Sequence, residues 1–211
     1  MKQDTDTLIA SLADGLEPTP ARGFAAKLAM WLACAAGYVA VLLAFLGVRP
    51  DLLLKMHSFL FAGEIMLLAL IVISCALSAM VLSFPDMQQK RYIVFLPVVP
   101  VALFVGLLAV SWLHDTPPSP EPLHGFECLR CIALFSLLPV AGLLLLMRRQ
   151  ATTHSLLAGA VAMLAASSLG CLTLRLSEDT DSIAHIVKWH YLPIMAFCIL
   201  GMWCGKKALK W

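Results

Sequence analysis

Cys128 and Cys131 stand three positions apart in Cys128-Leu129-Arg130-Cys131, with His124 about one helical turn before Cys128. On a helix that spacing puts both thiols on one face with the imidazole above them. Two thiolates and an imidazole suit a soft or borderline cation such as copper(I), cadmium or zinc. Arg130 and a helix N-terminus beside the pair would each lower a thiol pKa and raise its reactivity. The same residues therefore also fit redox chemistry. A single pair of this spacing is a weak motif on its own, and its position in the chain decides how much it says.

That position comes from the apolar segments. The chain is 61% hydrophobic and 13% charged over 211 residues, which is not the composition of a soluble domain. Apolar runs long enough to cross a bilayer core recur six times, at about 25–48, 57–84, 92–113, 126–147, 154–175 and 185–207. In lipid the backbone must satisfy its own hydrogen bonds, so these runs are read as helices. The expected fold is an all-α integral membrane protein: a six-helix transmembrane bundle over residues 25–211, preceded by a short cytoplasmic head over residues 1–24. Ten Lys and Arg residues fall on the side of the two termini and five on the other. By the positive-inside rule both termini are cytoplasmic, and the predicted location is a bacterial inner membrane. The small net charge of +2 reflects these topology anchors and does not point to direct nucleic-acid binding. The acidic first 20 residues, with no apolar stretch after a basic start, do not read as a signal peptide.

This topology gathers the reactive side chains. Cys128, Cys131 and five of the six histidines (His57, His114, His124, His185 and His190) lie near outer ends of spans, and only His154 lies on the other side. Singly, such a histidine is more often an interfacial polar residue than a ligand. Together they make His124, His185 and His190 candidate metal ligands beside Cys128 and Cys131. Glu64, about seven positions into the second span, is an acid in a costly place. It reads either as a further metal ligand, as a proton relay, or as a structural partner of Arg130, Arg175 or Lys188. Cys34, Cys75, Cys171, Cys198 and Cys204 read as small apolar fillers of the spans.

The head has its own pattern. Leu8, Ile9, Leu12 and Leu16 recur at helical spacing among acidic residues, and Pro18 and Pro20 end the segment with a stiff spacer. A helix this short is marginal alone in water. It either docks into the groove of a basic protein partner or lies as a tail at the membrane surface. Its acidity opposes contact with anionic lipid and favours the protein partner.

The pattern Leu8-Ile9-x-x-Leu12-Ala13-x-x-Leu16-x-Pro18-x-Pro20 followed by six spans resembles the NrsF-type membrane anti-sigma factors. Cys128-x-x-x-Ile132 with Ser136 and Pro139, and Trp189 near the start of the last span, add to the resemblance, which runs over essentially the whole chain. It implies a head that holds a sigma factor of the extracytoplasmic-function (ECF) type through Leu8, Ile9, Leu12, Leu16 and Pro18. It also implies an outer-face thiol, Cys128, that responds to metal or oxidative stress. The family's usual second cysteine at the outer end of the fifth span is missing here. That stretch reads Leu174-Arg175-Leu176-Ser177-Glu178, so Cys171 or Cys131 would supply the second thiol.

No cofactor is expected; copper, cadmium or zinc would be the sensed ligand. A quinone-linked thiol oxidoreductase would need a second outer cysteine pair to relay disulfides, and the chain has none. A small metal transporter would need ligands along a path, and the span centres are almost wholly apolar. The chain is read as a regulator in contact with membrane lipid and not as an enzyme.

Overall fold

The computed structural model describes residues 2–14, 23–84, 92–115, 125–150, 152 and 154–209. Leu16, Pro18 and His124 lie outside the described residues. The described residues are helical, with no strand. The helices are α1 (Lys2–Ala13), α2 (Phe24–Leu46), α3 (Leu52–Lys55), α4 (Phe59–Ser83), α5 (Val98–His114), α6 (Gly125–Arg148), α7 (Ser155–Ser177), α8 (Ile183–His185) and α9 (Leu192–Ala208). Six helical stretches are long and apolar enough to cross a membrane, including Tyr92–His114 through α5 and Ile183–Ala208 through α8 and α9.

Successive spans run in opposite directions, and inter-helix contacts fix the two ends of the bundle. At one end Phe24, opening α2, packs edge-on against Phe84 just past α4. At the other end the Arg49 amide, just past α2, donates to the Leu176 carbonyl near the end of α7, at 3.0 Å. The chain leaves α2 through Gly47, whose φ of 84° is open to glycine and strained for other residues.

The α7 helix is the axis of the bundle, packed along α4, α6 and α9. Its sequence explains this place. Ala158, Ala162, Ala165 and Ala166 are fully buried, and Gly159 meets Gly201 and Gly205 of α9 backbone to backbone. A Cβ on Gly159 would fall well inside van der Waals distance of the Gly201 carbonyl oxygen and 2.7 Å from Gly205 Cα. Small residues permit such an approach, and packing contact replaces the hydrophobic drive that lipid does not supply. At the α6–α7 crossing, a Cβ on Gly170 would stand 3.0 Å from the Ile132 carbonyl oxygen and 3.1 Å from Ser136 Oγ. Ser136 itself donates back to the Ile132 carbonyl at 2.6 Å, and the Pro139 carbonyl accepts from Trp31 Nε1 at 3.1 Å. Large apolar side chains such as Phe45, Phe59, Leu113, Met195 and Ile199 face outward, as a lipid-facing surface requires.

Two details differ from the sequence expectation. The second span begins at Phe59, and the residues before it form the short α3. In the turn after α3 His57 is exposed, and its Nδ1 lies 2.8 Å from the Leu53 carbonyl oxygen. The last span opens with a π-helical segment, Ile186–Tyr191, between α8 and α9. Pro193, which follows within α9, has no amide to give the Trp189 carbonyl and crowds it. A wider turn accommodates this, and such bulges recur at functional sites.

Candidate metal centre

At the bundle end opposite to Phe24, four side chains from four places in the chain converge. Cys128 comes from the first turn of α6, Glu178 from the residue following α7, His185 from α8 and His190 from the π-helical segment. Each offers one sulfur, oxygen or nitrogen atom, and these atoms lie within 4.8 Å of one another. Cys128 Sγ is 3.5 Å from His185 Nε2 and 3.6 Å from both Glu178 carboxylate oxygens. Glu178 Oε2 is 3.5 Å from His190 Nε2, and Oε1 is 4.0 Å from His185 Nε2. The two imidazoles stand edge to face with centroids 5.5 Å apart. Both histidines are fully buried and Cys128 nearly so; Glu178 keeps a slight opening to solvent.

The elements around the cluster hold it in shape. Thr180 Oγ1 donates to Glu178 Oε1 at 2.8 Å and orients the carboxylate. The Ser182 hydroxyl accepts from the His185 amide and caps α8. Gly125, first residue of α6, lies under the Trp189 indole so closely that any Cβ there would overlap the ring. The contact locks the start of α6, and with it Cys128, to the segment carrying His185 and His190. Deeper in, Cys171 Sγ donates to the His190 carbonyl at 3.3 Å.

Of the residues singled out from sequence, the structure therefore brings together Cys128, His185 and His190. Cys131 is half-buried on α6 and stands outside the four-atom cluster. Glu64 lies elsewhere: it takes two hydrogen bonds from Arg175, at 2.8 Å from Nε and 3.0 Å from Nη2, and one from the Tyr191 hydroxyl. Of the alternatives open to it, this geometry matches the structural ion pair. Arg175 Nη1 also donates to the Thr180 carbonyl at 2.7 Å. Phe61 lies under the Arg175 and Arg49 guanidinium groups, 5.2 and 5.1 Å from its centroid.

Glu178 is the member that sequence reasoning missed. Its one available signal was its place immediately after the fifth span, where the resemblance expects a second cysteine. Asp181 has a different use: it takes a 2.6 Å ion pair from Lys55 and a 3.3 Å contact from buried Arg49. Arg49 also pairs with Asp51 at 2.7 Å. The Arg49 hydrogen bond holds the Asp51 carboxyl below the usual carboxylate range, and Asp51 in turn raises the Arg49 pKa.

Chemically, the cluster supplies one thiol, two imidazoles and one carboxylate to a common point. Comparison with known proteins agrees with a regulatory chain. No solved structure matches this chain. The anti-sigma-F factor NrsF of Caulobacter vibrioides (strain NA1000 / CB15N) is 27% identical over 218 residues, covering 98% of this chain and 97% of that protein. The family model described as NrsF, negative regulator of sigma F, matches residues 12–211. That family is regulatory rather than catalytic, and the match takes in all six spans and the four converging side chains. This chain belongs to the NrsF family of negative sigma-factor regulators.

Proposed function

We propose that this protein is a transmembrane anti-sigma factor for an ECF-type sigma factor, released by metal or oxidative stress. In this reading residues 1–24 hold the sigma factor on the cytoplasmic face of a bacterial inner membrane. A stimulus at the outer-face cysteine site, centred on Cys128, shifts the bundle and loosens that hold. The observation that carries the reading is the placement of two unlike ends. Leu8, Ile9 and Leu12 of α1 are 58, 58 and 65% exposed, an apolar face offered outward. In the chain this helix precedes Phe24, which lies at the end of the bundle opposite to Cys128. An exposed amphipathic helix of this kind suits a groove on a partner protein.

Energetically the device asks for little. A ligand that binds the releasing arrangement tenfold more tightly than the holding one shifts the equilibrium by about 1.4 kcal/mol. The bundle interior supports a regulator over a transporter. Between the two ends it is filled by Leu68, Ile71, Met80, Leu143 and Ala162, and the hydroxyls of Ser74, Ser78, Ser167 and Thr173 buried among them donate to backbone carbonyls.

The test uses the full-length protein in membranes. The sigma factor should co-purify with the wild-type chain, and Leu12→Glu should weaken retention at least tenfold while the protein still accumulates in the membrane. Retention unaffected by Leu12→Glu combined with Leu8→Glu would overturn the assignment of the head.

A further inference from the structure

We propose that Cys128, Glu178, His185 and His190 form a closed four-coordinate site for a divalent cation of the zinc class. Bound ion, rather than a disulfide, is then what this end of the bundle reads. The site stands on geometry; its regulatory role rests on the anti-sigma reading above.

The geometry is close to that of a loaded site. Zinc bonds of about 2.0 to 2.3 Å to nitrogen, oxygen and sulfur set ligand atoms at tetrahedral corners about 3.3 to 3.8 Å apart. The observed separations are 3.5 Å from Cys128 Sγ to His185 Nε2, 3.5 Å from Glu178 Oε2 to His190 Nε2, and 3.6 Å from Cys128 Sγ to the carboxylate. All four atoms lie within 4.8 Å of one another, so closure around an ion needs shifts of about an ångström or less. Charge agrees as well. A divalent cation with one thiolate, one carboxylate and two neutral imidazoles is neutral overall, which suits a site whose histidines are fully buried at the rim of a bilayer.

The donor set selects among ions. One sulfur, two nitrogens and one oxygen in a tetrahedral arrangement suit zinc(II), cobalt(II) and cadmium(II). Copper(I) favours thiolate and thioether donors, and the cluster holds a single sulfur and a hard carboxylate. Calcium and magnesium require mostly oxygen ligands. A disulfide switch would require two thiols in the cluster, and Cys131 stands outside it. Glu178 thus occupies the corner that a second thiol would take, which converts a dithiol site into a mixed-donor cation site. Thr180 and Ser182 hold the loop that presents it.

The experiment titrates purified, metal-free, full-length protein in lipid nanodiscs with cobalt(II), then with zinc(II). Tetrahedral cobalt(II) with a thiolate ligand shows intense visible bands and a near-ultraviolet sulfur-to-cobalt charge-transfer band. We expect one cobalt(II) per chain, displaced by one equivalent of zinc(II). The charge-transfer band should vanish in Cys128→Ser and persist unchanged in Cys131→Ser. Glu178→Gln keeps side-chain size and hydrogen-bonding capacity, and should lower affinity roughly tenfold or more; it carries the test if Cys128→Ser fails to accumulate. No saturable binding by the wild type, unchanged affinity in Glu178→Gln, or loss of the band in Cys131→Ser would each overturn the site. A protein that binds no cobalt(II) but still yields its sigma factor to an oxidant overturns the cation site and spares the anti-sigma reading. One that binds cobalt(II) with the expected spectrum but retains no sigma factor does the reverse.

Discussion

The Glu64–Arg175 pair gives a sharp test of the bundle's energetics. Glu64 is 8% exposed and Arg175 2%, and two charge-assisted hydrogen bonds of 2.8 and 3.0 Å join them. Removing one member of a buried ion pair strands the other and costs about 3 to 5 kcal/mol, whereas replacing both by apolar groups of similar size is often near neutral. Glu64→Leu leaves the guanidinium the Thr180 carbonyl and the Phe61 ring, so it should cost about 3 kcal/mol, the lower end of that range. Arg175→Met leaves a carboxylate held by the Tyr191 hydroxyl alone and should cost about 4 kcal/mol. The double variant should cost far less than the summed single losses of about 7 kcal/mol, giving a coupling of several kcal/mol. Reversible unfolding in mixed micelles of rising SDS content, followed by tryptophan emission, measures all four corners of the cycle. A coupling below about 0.5 kcal/mol would mean that the pair is not formed in the membrane protein, and the placement of α4 against α7 would have to be redrawn.

Two further outcomes follow from the packing and the charges. Gly159→Ala sets a methyl group against the Gly201 carbonyl and the Gly205 backbone, which cannot swing aside as a side chain would; it should destabilise the protein by about 1 to 3 kcal/mol in the same unfolding assay. Gly106→Ala, with no atom within 4 Å of the added carbon, should be neutral or slightly stabilising, and equal losses from the two would refute the close α7–α9 crossing. The Asp51 carboxyl is held low by Arg49. Its contribution to stability is therefore complete above the ordinary carboxylate pKa and is lost as pH falls through the lowered folded value. An acid titration of unfolding should show this loss in the wild type and a flatter profile in Asp51→Asn.

Much of the fold was legible because lipid simplifies the code. An apolar run of some 20 residues has one way to satisfy its backbone, so six spans could be read without knowing how any two of them pack. Their ends were less legible. The π-helical turn at Ile186–Tyr191 answers to Pro193 and to the packing of Trp189 on Gly125, neither of which leaves a mark in hydropathy. Cys128, His185 and His190 were legible as candidates by chemical type and by falling on one side of the bundle. Cys131 was drawn in by local spacing, which says that two residues share a helix face but not which way that face turns.

The sequence by itself determined an all-α, six-span chain with an acidic amphipathic head and with its thiols and imidazoles gathered toward one end. Only the tertiary structure decided which of those groups meet. Glu178 joins Cys128 across 50 residues because α7 ends beside the start of α6, and Glu64 finds Arg175 across 111 residues because α4 lies along α7. Hydropathy is a property of each segment alone. A site built from four segments depends on helix rotation and depth, which are set by where Gly159, Gly170 and Gly125 let neighbours come close.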